Sequence, residues 1–209
     1  MERKLTIWAT VAVIIIFGVL CYFTPKEEVY KFDTKDQISF GSKSAKVKVI
    51  VFEEFACEQC KKFHNDVLEP LFDQYVDHNK VQLVLIPLAY QDASYPAFSA
   101  ACCIGKISSL HMRSFVDHIF NLKKKDFTSL TSRELTASYA MKQNRFPFHD
   151  VINCIQAKEF DQIREERSNL ASSLYKDDLH FPTVLINGKK LAFPDKQSVF
   201  NTIERELMR

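Results

Sequence analysis

Apolar positions along this chain follow three different patterns. The first is an unbroken run, "LTIWATVAVIIIFGVLCYFT", from Leu5 to Thr24, preceded by Arg3 and Lys4 and free of charge until Lys26. At about 1.5 Å of rise per residue it is long enough to cross a hydrocarbon core of roughly 30 Å. A helix apolar on every side has no solvent face, so a soluble buried helix does not suit it. The basic residues ahead of it predict a cytoplasmic N-terminus and an exported remainder. Residues 1–24 are therefore read as a signal peptide or a membrane anchor, in contact with the membrane. No small-x-small cleavage site follows, which favours the anchor. Leu20 ahead of Cys21 does not suit lipoprotein processing.

The second pattern has a period near two. After a polar stretch of mixed charge, residues 25–36, that reads as a linker, Ile38 to Gly41 predict a short edge strand. "KVKVIVFEEF", Lys46 to Phe55, alternates and then turns continuously apolar, as a central strand does. "VQLVLIPLA", Val81 to Ala89, predicts a second buried strand. Near the C-terminus "TVLI" and "KKLAF" flank Asn187-Gly188, the strongest short-range hairpin signal.

The third pattern is helical. Phe63, Val67, Leu68, Leu71, Phe72 and Tyr75 recur at helical spacing between Glu58 and His78, with a kink expected at Pro70. Residues 94–178 hold several amphipathic patterns and no convincing strand, and Thr131 to Glu134 reads as a capping box. Gln197 to Arg209 predict a closing helix. Strand, helix, strand, helical block, hairpin and helix make one α/β domain, residues 37–209. Its mixed sheet carries helices on both faces and the helical block enters as an insertion.

Composition narrows the chemistry. The chain has 209 residues, 46% of them hydrophobic, enough for one ordinary core. A net charge of +2 gives no reason to expect nucleic acid, and the lysine triplet Lys123 to Lys125 reads as a solvated face. With only four glycines, no phosphate-cradling loop or dinucleotide fingerprint is present.

Six cysteines matter more: Cys21, Cys57, Cys60, Cys102, Cys103 and Cys154. In an exported chain disulfides persist, so a CxxC is less readily a zinc half-site than in the cytosol. With Cys21 in the apolar run, five remain for the domain, leaving at least one thiol without an intramolecular partner. Cys57 falls at the start of a helix, where unpaired N–H groups and the dipole favour a thiolate. Cys60 lies about one turn on, on the same face. One sulfur is thus activated and the other stands behind it, the asymmetry that thiol–disulfide exchange requires.

The combination of "VIVFEEFACEQCKKF" with Phe181-Pro182-Thr183 and the Asn187-Gly188 hairpin in "HFPTVLINGK" resembles the thioredoxin-fold oxidoreductases, in their DsbA-like branch. Within the branch the small DsbH proteins look most similar. The resemblance covers roughly Ile38 to Met208, and a helical insert between the two thioredoxin halves is typical of the branch. It implies a periplasmic or otherwise extracytoplasmic thiol:disulfide oxidoreductase acting on exported proteins with cysteines. Cys57 is then the nucleophile, Cys60 resolves, and Pro182 is cis and lies against the CxxC. Phe181 offers its backbone to an extended substrate peptide. No organic cofactor is implied beyond the redox-active pair itself, and a membrane redox partner that recharges it is expected.

Two departures from the family stand out. Many relatives carry a buried acid six residues before the first cysteine, where this chain has Val51. Glu54 matches an acidic position of the branch and is the candidate proton relay, although Glu53 and Glu54 also read simply as strand-end charges. Between the cysteines stand Glu58 and Gln59. Glu58 is expected to oppose the Cys57 thiolate, which makes the pair a less ready oxidant and leans the reading toward a disulfide reductase.

For Cys102, Cys103 and Cys154 two readings stand: buried free thiols, or a structural disulfide from Cys102 or Cys103 to Cys154. His64, four residues after Cys60, suggests a metal set with Cys57 and Cys60, but no fourth ligand occurs at a recognisable spacing, and no metal is expected. Two rival functions use the same residues: a metal-binding chaperone module, and a thioredoxin-fold adaptor whose cysteines are incidental.

Overall fold

The computed structural model describes residues 8, 13, 15, 28–31, 33–34, 37–123, 127, 129–174 and 180–209. The expected membrane segment lies outside the described residues apart from Trp8, Val13 and Ile15, which are helical and exposed. Among the described residues no helix is long and apolar enough to cross a membrane. Lys123 is exposed, and Lys124 and Lys125 lie outside the described residues.

Five strands, β1 (Ile38–Phe40), β2 (Val47–Glu54), β3 (Val81–Leu88), β4 (Thr183–Ile186) and β5 (Lys189–Lys190), form one sheet in the order β1-β3-β2-β4-β5. β2 and β3 run parallel, and the other pairs are antiparallel. This is the predicted mixed sheet, with the terminal hairpin turning at Asn187 and Gly188, both at positive φ. Gly188 is required for a second reason: a Cβ there would meet the Tyr30 carbonyl oxygen at 2.6 Å. Tyr30 N–H donates to Gly188 O at 2.8 Å, and Val29 bridges Lys189. Part of the segment read as a linker therefore covers the outer edge of β5.

β2 is buried on both faces, which explains its continuous apolar run. Val47, Val49 and Val51 face a cluster with Phe63, Leu68, Leu71 and Val199, while Ile50 and Phe52 face Ala171 and Leu174. The first cluster is covered by α1 (Glu58–Phe63), α2 (Glu69–Leu71) and α8 (Lys196–Met208). α1 and α2 belong to one continuous helix, since π-helical turns over His64–Leu68 and Phe72–Val76 flank the Pro70 segment. Pro70 lacks the N–H that an α-turn needs, and wider π-helical turns stand on either side of it.

Among the described residues the insertion packs these α-helices: α3 (Tyr95–Ile107), α4 (Met112–Asn121), α5 (Ser132–Ala140), α6 (Phe148–Gln156) and α7 (Asp161–Ser173). The capping box at Thr131 and Glu134 forms as expected. The insert's core, with Phe115, Phe120, Leu135 and Tyr139, reaches Phe55 and Cys60, so the lobe closes over the end of β2 where α1 begins.

Candidate active site

The site is assembled from the C-terminal end of β2, the first turn of α1 and the strand start at β4. Cys57 is the N-cap of α1, in extended conformation, and its sulfur is partly exposed. Cys60 is fully buried one turn behind. Both are free thiols here, and the Glu54 N–H reaches the Cys60 sulfur at 3.4 Å.

Their ionisation is split. A hydrogen bond from the Cys60 thiol, together with the N–H groups of Cys60 and Gln59, brings Cys57 down to about 6, against the opposing effects of burial and Glu54. Burial raises Cys60 well above the usual thiol range, and its hydrogen bond to Cys57 adds to this. The expectation that Glu58 would oppose the thiolate is corrected. Glu58 is exposed, where water damps its field, and the carboxylate that acts on Cys57 is Glu54.

The Phe181-Pro182 bond is cis. The pairing of Phe52 with Thr183 sets Pro182 beside the end of β2, and the Cys57 thiol points at Phe181 O, 3.8 Å away. An apolar groove of about 680 Å³ runs on from there between Phe63, Pro182 and Phe193, with Lys62 and Lys196 at its rim. Phe193 is 82% exposed.

The two glutamates before the site are not solvated strand-end charges, since both are buried. Glu54 accepts from Tyr90 N at 3.0 Å and Gln91 N at 3.3 Å, tying β2 to the chain after β3. Burial raises its carboxyl, and hydrogen bonds from Ser94, Gln91 and Tyr90 work the other way. Glu53 points to the opposite face, and neither of its carboxylate oxygens has a hydrogen-bond partner. Alternation from Val47, Val49 and Val51 placed Glu53 on the core face, and that signal was available in the sequence. Asp117, on α4, was not foreseeable: its Oδ1 meets His64 Nε2 at 2.7 Å across 53 residues of sequence. Among the described residues Cys57, Cys60 and His64 do not come together as a metal-ligand set; the groups within reach of His64 are Glu69 and Asp117.

Cys103 pairs with Cys154, with Cα atoms 5.8 Å apart, joining α3 to α6. Cys102 faces the other side of α3, where Arg167 Nη1 donates to its sulfur at 3.3 Å.

A nucleophilic thiol at a helix start, a buried thiol behind it and a cis-proline beside both, on this sheet, make a dithiol exchange centre on a thioredoxin fold. Residues 33–204 match the family described as Thioredoxin. The chain belongs to that family, as a DsbA-like thiol:disulfide oxidoreductase with a helical insertion. It is 30% identical over 207 residues to the probable disulfide bond formation protein D of Bacillus cereus, covering 96% of this chain and 94% of that one. The protein of the same name from Bacillus anthracis is 30% identical over 209 residues, with the same coverage. Oxidised BdbD from Bacillus subtilis superimposes with a TM-score of 0.75 at 19% identity, covering 88% of this chain and all of that one. DsbA from Chlamydia trachomatis gives 0.73 at 21% identity, covering 87% and 96%. None of these carries the DsbH name suggested by the narrower resemblance.

Proposed function

We propose that this oxidoreductase works outside the cytoplasm, exchanging disulfides with exported cysteine-containing proteins, and that it runs as an oxidant of moderate strength. The observation that carries the reading is the split between Cys57 and Cys60. In the oxidising direction a substrate thiolate attacks Cys57 Sγ of the Cys57–Cys60 disulfide. Cys60 leaves with the electron pair and takes up a proton. A second substrate thiolate then attacks the substrate sulfur of the mixed disulfide, forming the substrate disulfide and expelling Cys57 as a thiolate. A thiol with pKa about 6 is a good leaving group at neutral pH. The two electrons stay on the dithiol, so no organic cofactor is needed, and a membrane partner reoxidises it. Phe181 and Pro182 present the extended substrate strand, and the Phe193 groove receives its apolar side chains.

The depressed Cys57 pKa supports the oxidising direction. A thiolate with pKa about 6 favours the reduced form at pH 7 by about 30 mV, an upper figure because the sulfur is half exposed and screened. The same arithmetic gives roughly 100 mV for a cysteine of pKa about 3.5, as in DsbA, and about 10 mV for one near 7, as in thioredoxin. Scaling from their potentials of about −120 and −270 mV, we expect this couple between the two, at roughly −190 to −250 mV. The lean toward a reductase rests on Glu58-Gln59 between the cysteines; Glu58 is exposed, and the lowered Cys57 pKa favours the oxidising reading instead.

The test is to express Cys60→Ser from the full chain. Mixed disulfides to exported proteins, lost when Cys57 is also replaced, are expected. No trapped species would end the reading.

A further inference from the structure

Glu53 is the least explained residue of the molecule. It is 1% exposed, and both carboxylate oxygens are buried without a hydrogen-bond partner. Burying an unpaired carboxylate costs several kcal/mol or forces the group to take up a proton, and a native structure that keeps one calls for a reason.

Its surroundings suggest that reason. β2 alternation turns Glu53 toward the helix that carries Cys60 and His64. Those two are four residues apart, on one face of that helix. His64 is 2% exposed, and its Nδ1 is also buried without a partner. Its Nε2 is hydrogen-bonded to Asp117 Oδ1 at 2.7 Å, and the Asp117 side chain is 32% exposed. Glu53 and His64 are thus two buried, unpaired groups beside Cys60, and Asp117, with Glu69 Oε1 3.7 Å from the same His64 nitrogen, leads from His64 to the surface. Glu54 has no such freedom, since its carboxylate is held by two backbone N–H groups on the opposite face.

We propose that Glu53, His64 and Asp117 form a proton path between the buried Cys60 thiol and solvent. This rests on the reading of Cys60 as the resolving cysteine. When the dithiol reduces a substrate, the Glu53 carboxylate takes the Cys60 proton, and the Cys60 thiolate attacks Cys57 Sγ, expelling the substrate thiolate. Glu53 passes the proton to His64 Nδ1 while the Nε2 proton leaves through Asp117. When the protein oxidises a substrate, Cys60 departs as a thiolate and protonated Glu53 returns the proton. Glu53, His64 and Asp117 act through Cys60 and are positioning residues for its proton.

The charges around Glu53 suit the task. Cys60 and His64 face it from the helix, and Asp117 from α4. Glu69 and Arg113, paired with each other at 3.2 Å, lie beyond His64. Burial pushes Glu53 up to about 7, with His64 lowering it and Asp117 raising it. Such a group accepts and releases a proton near neutral pH. Glu53 also raises the Cys60 thiol, as a nearby carboxylate should.

The test follows the resolving step alone. The full chain is charged with glutathione on Cys57, and glutathione release by Cys60 is timed from pH 5 to 9. Wild type is expected to accelerate through an inflection near pH 7. Glu53→Gln is expected to lose that inflection and to be about 100-fold slower at neutral pH, rising only as Cys60 itself ionises. His64→Gln removes the acceptor for the Glu53 proton and is expected to slow release at neutral pH about tenfold. An unchanged profile in Glu53→Gln, or an unchanged rate in His64→Gln, overturns the proposal. If Glu53→Gln does not fold, carbon-13 carboxyl spectra of the wild type decide. A glutamate titrating near pH 7 and shifting when the cysteine pair is reduced is expected, and its absence overturns the path. Alkylation of Cys57 in the fully reduced protein separates the two levels, because an unreactive Cys57 would defeat the exchange reading itself.

Discussion

The Cys57 sulfur lies 3.8 Å from the carbonyl oxygen of Phe181, although 124 residues separate them in the chain. The contact joins the first turn of α1 to the start of β4, and through it the reacting sulfur faces the backbone that would hold a substrate. Antiparallel pairing of β2 with β4 produces it, since Phe52 opposite Thr183 leaves Phe181 and Pro182 level with the end of β2.

The Cys57 thiol is expected to react as a thiolate well below the ordinary range. Iodoacetamide alkylation of the reduced protein should rise to a plateau with a midpoint near pH 6. Cys60 should stay unmodified until the protein unfolds, because it is buried and its pKa is raised. The same shift fixes a sign for stability. A depressed pKa stabilises the reduced fold fully above the unfolded thiol's pKa and is lost as pH falls through about 6. The reduced form should therefore gain on the oxidised form in thermal unfolding as pH rises from 6 to 9.

Glu53 carries the opposite sign. Its folded pKa is raised, so its contribution is fully present below about 4.5 and is lost as pH rises through about 7. Glu53→Gln should gain about 3 kcal/mol on wild type between pH 4.5 and pH 8 in urea titrations. A constant difference across that range would mean that the carboxyl is not held protonated by burial.

The Cys103–Cys154 bridge closes 51 residues of sequence, and the chain-entropy relation assigns such a loop about 4 kcal/mol. Replacing both cysteines with alanine should lower stability by up to that amount while leaving the midpoint of Cys57 alkylation in place, since the N–H groups and the Cys60 thiol that lower Cys57 belong to α1 itself.

Phe193 should matter to large substrates only. It forms a wall of the groove and is mostly exposed, so its apolar surface is available for burial. Phe193→Ser should raise KM for a reduced unfolded protein about tenfold and leave exchange with glutathione unchanged.

Much of this was legible along the chain because it depends on local period and turn chemistry. The β2 run, the Cys57–Cys60 pair at a helix start and the Asn187-Gly188 hairpin each sit within a few residues of their own signal. The β1 edge strand and the Thr131 cap did too. What was not legible depends on which faces meet. Cys102 and Cys103 are adjacent, and only the packing of α3 against α6 turns Cys103 to Cys154 and Cys102 to Arg167. His64 meeting Asp117 likewise needed the insert to fold back over α1. Glu58 neighbours Cys57 in the chain but is exposed, so nearness in sequence does not give nearness of charge. Glu53 reads as a strand-end charge, although β2 alternation turns it inward.

Equilibration of the full chain with glutathione buffers at pH 7, read as the fraction of Cys57–Cys60 disulfide, tests the central claim most directly. A two-electron couple between roughly −190 and −250 mV is the expected result. A potential near −120 mV, or a pair that does not exchange with glutathione at all, would contradict it.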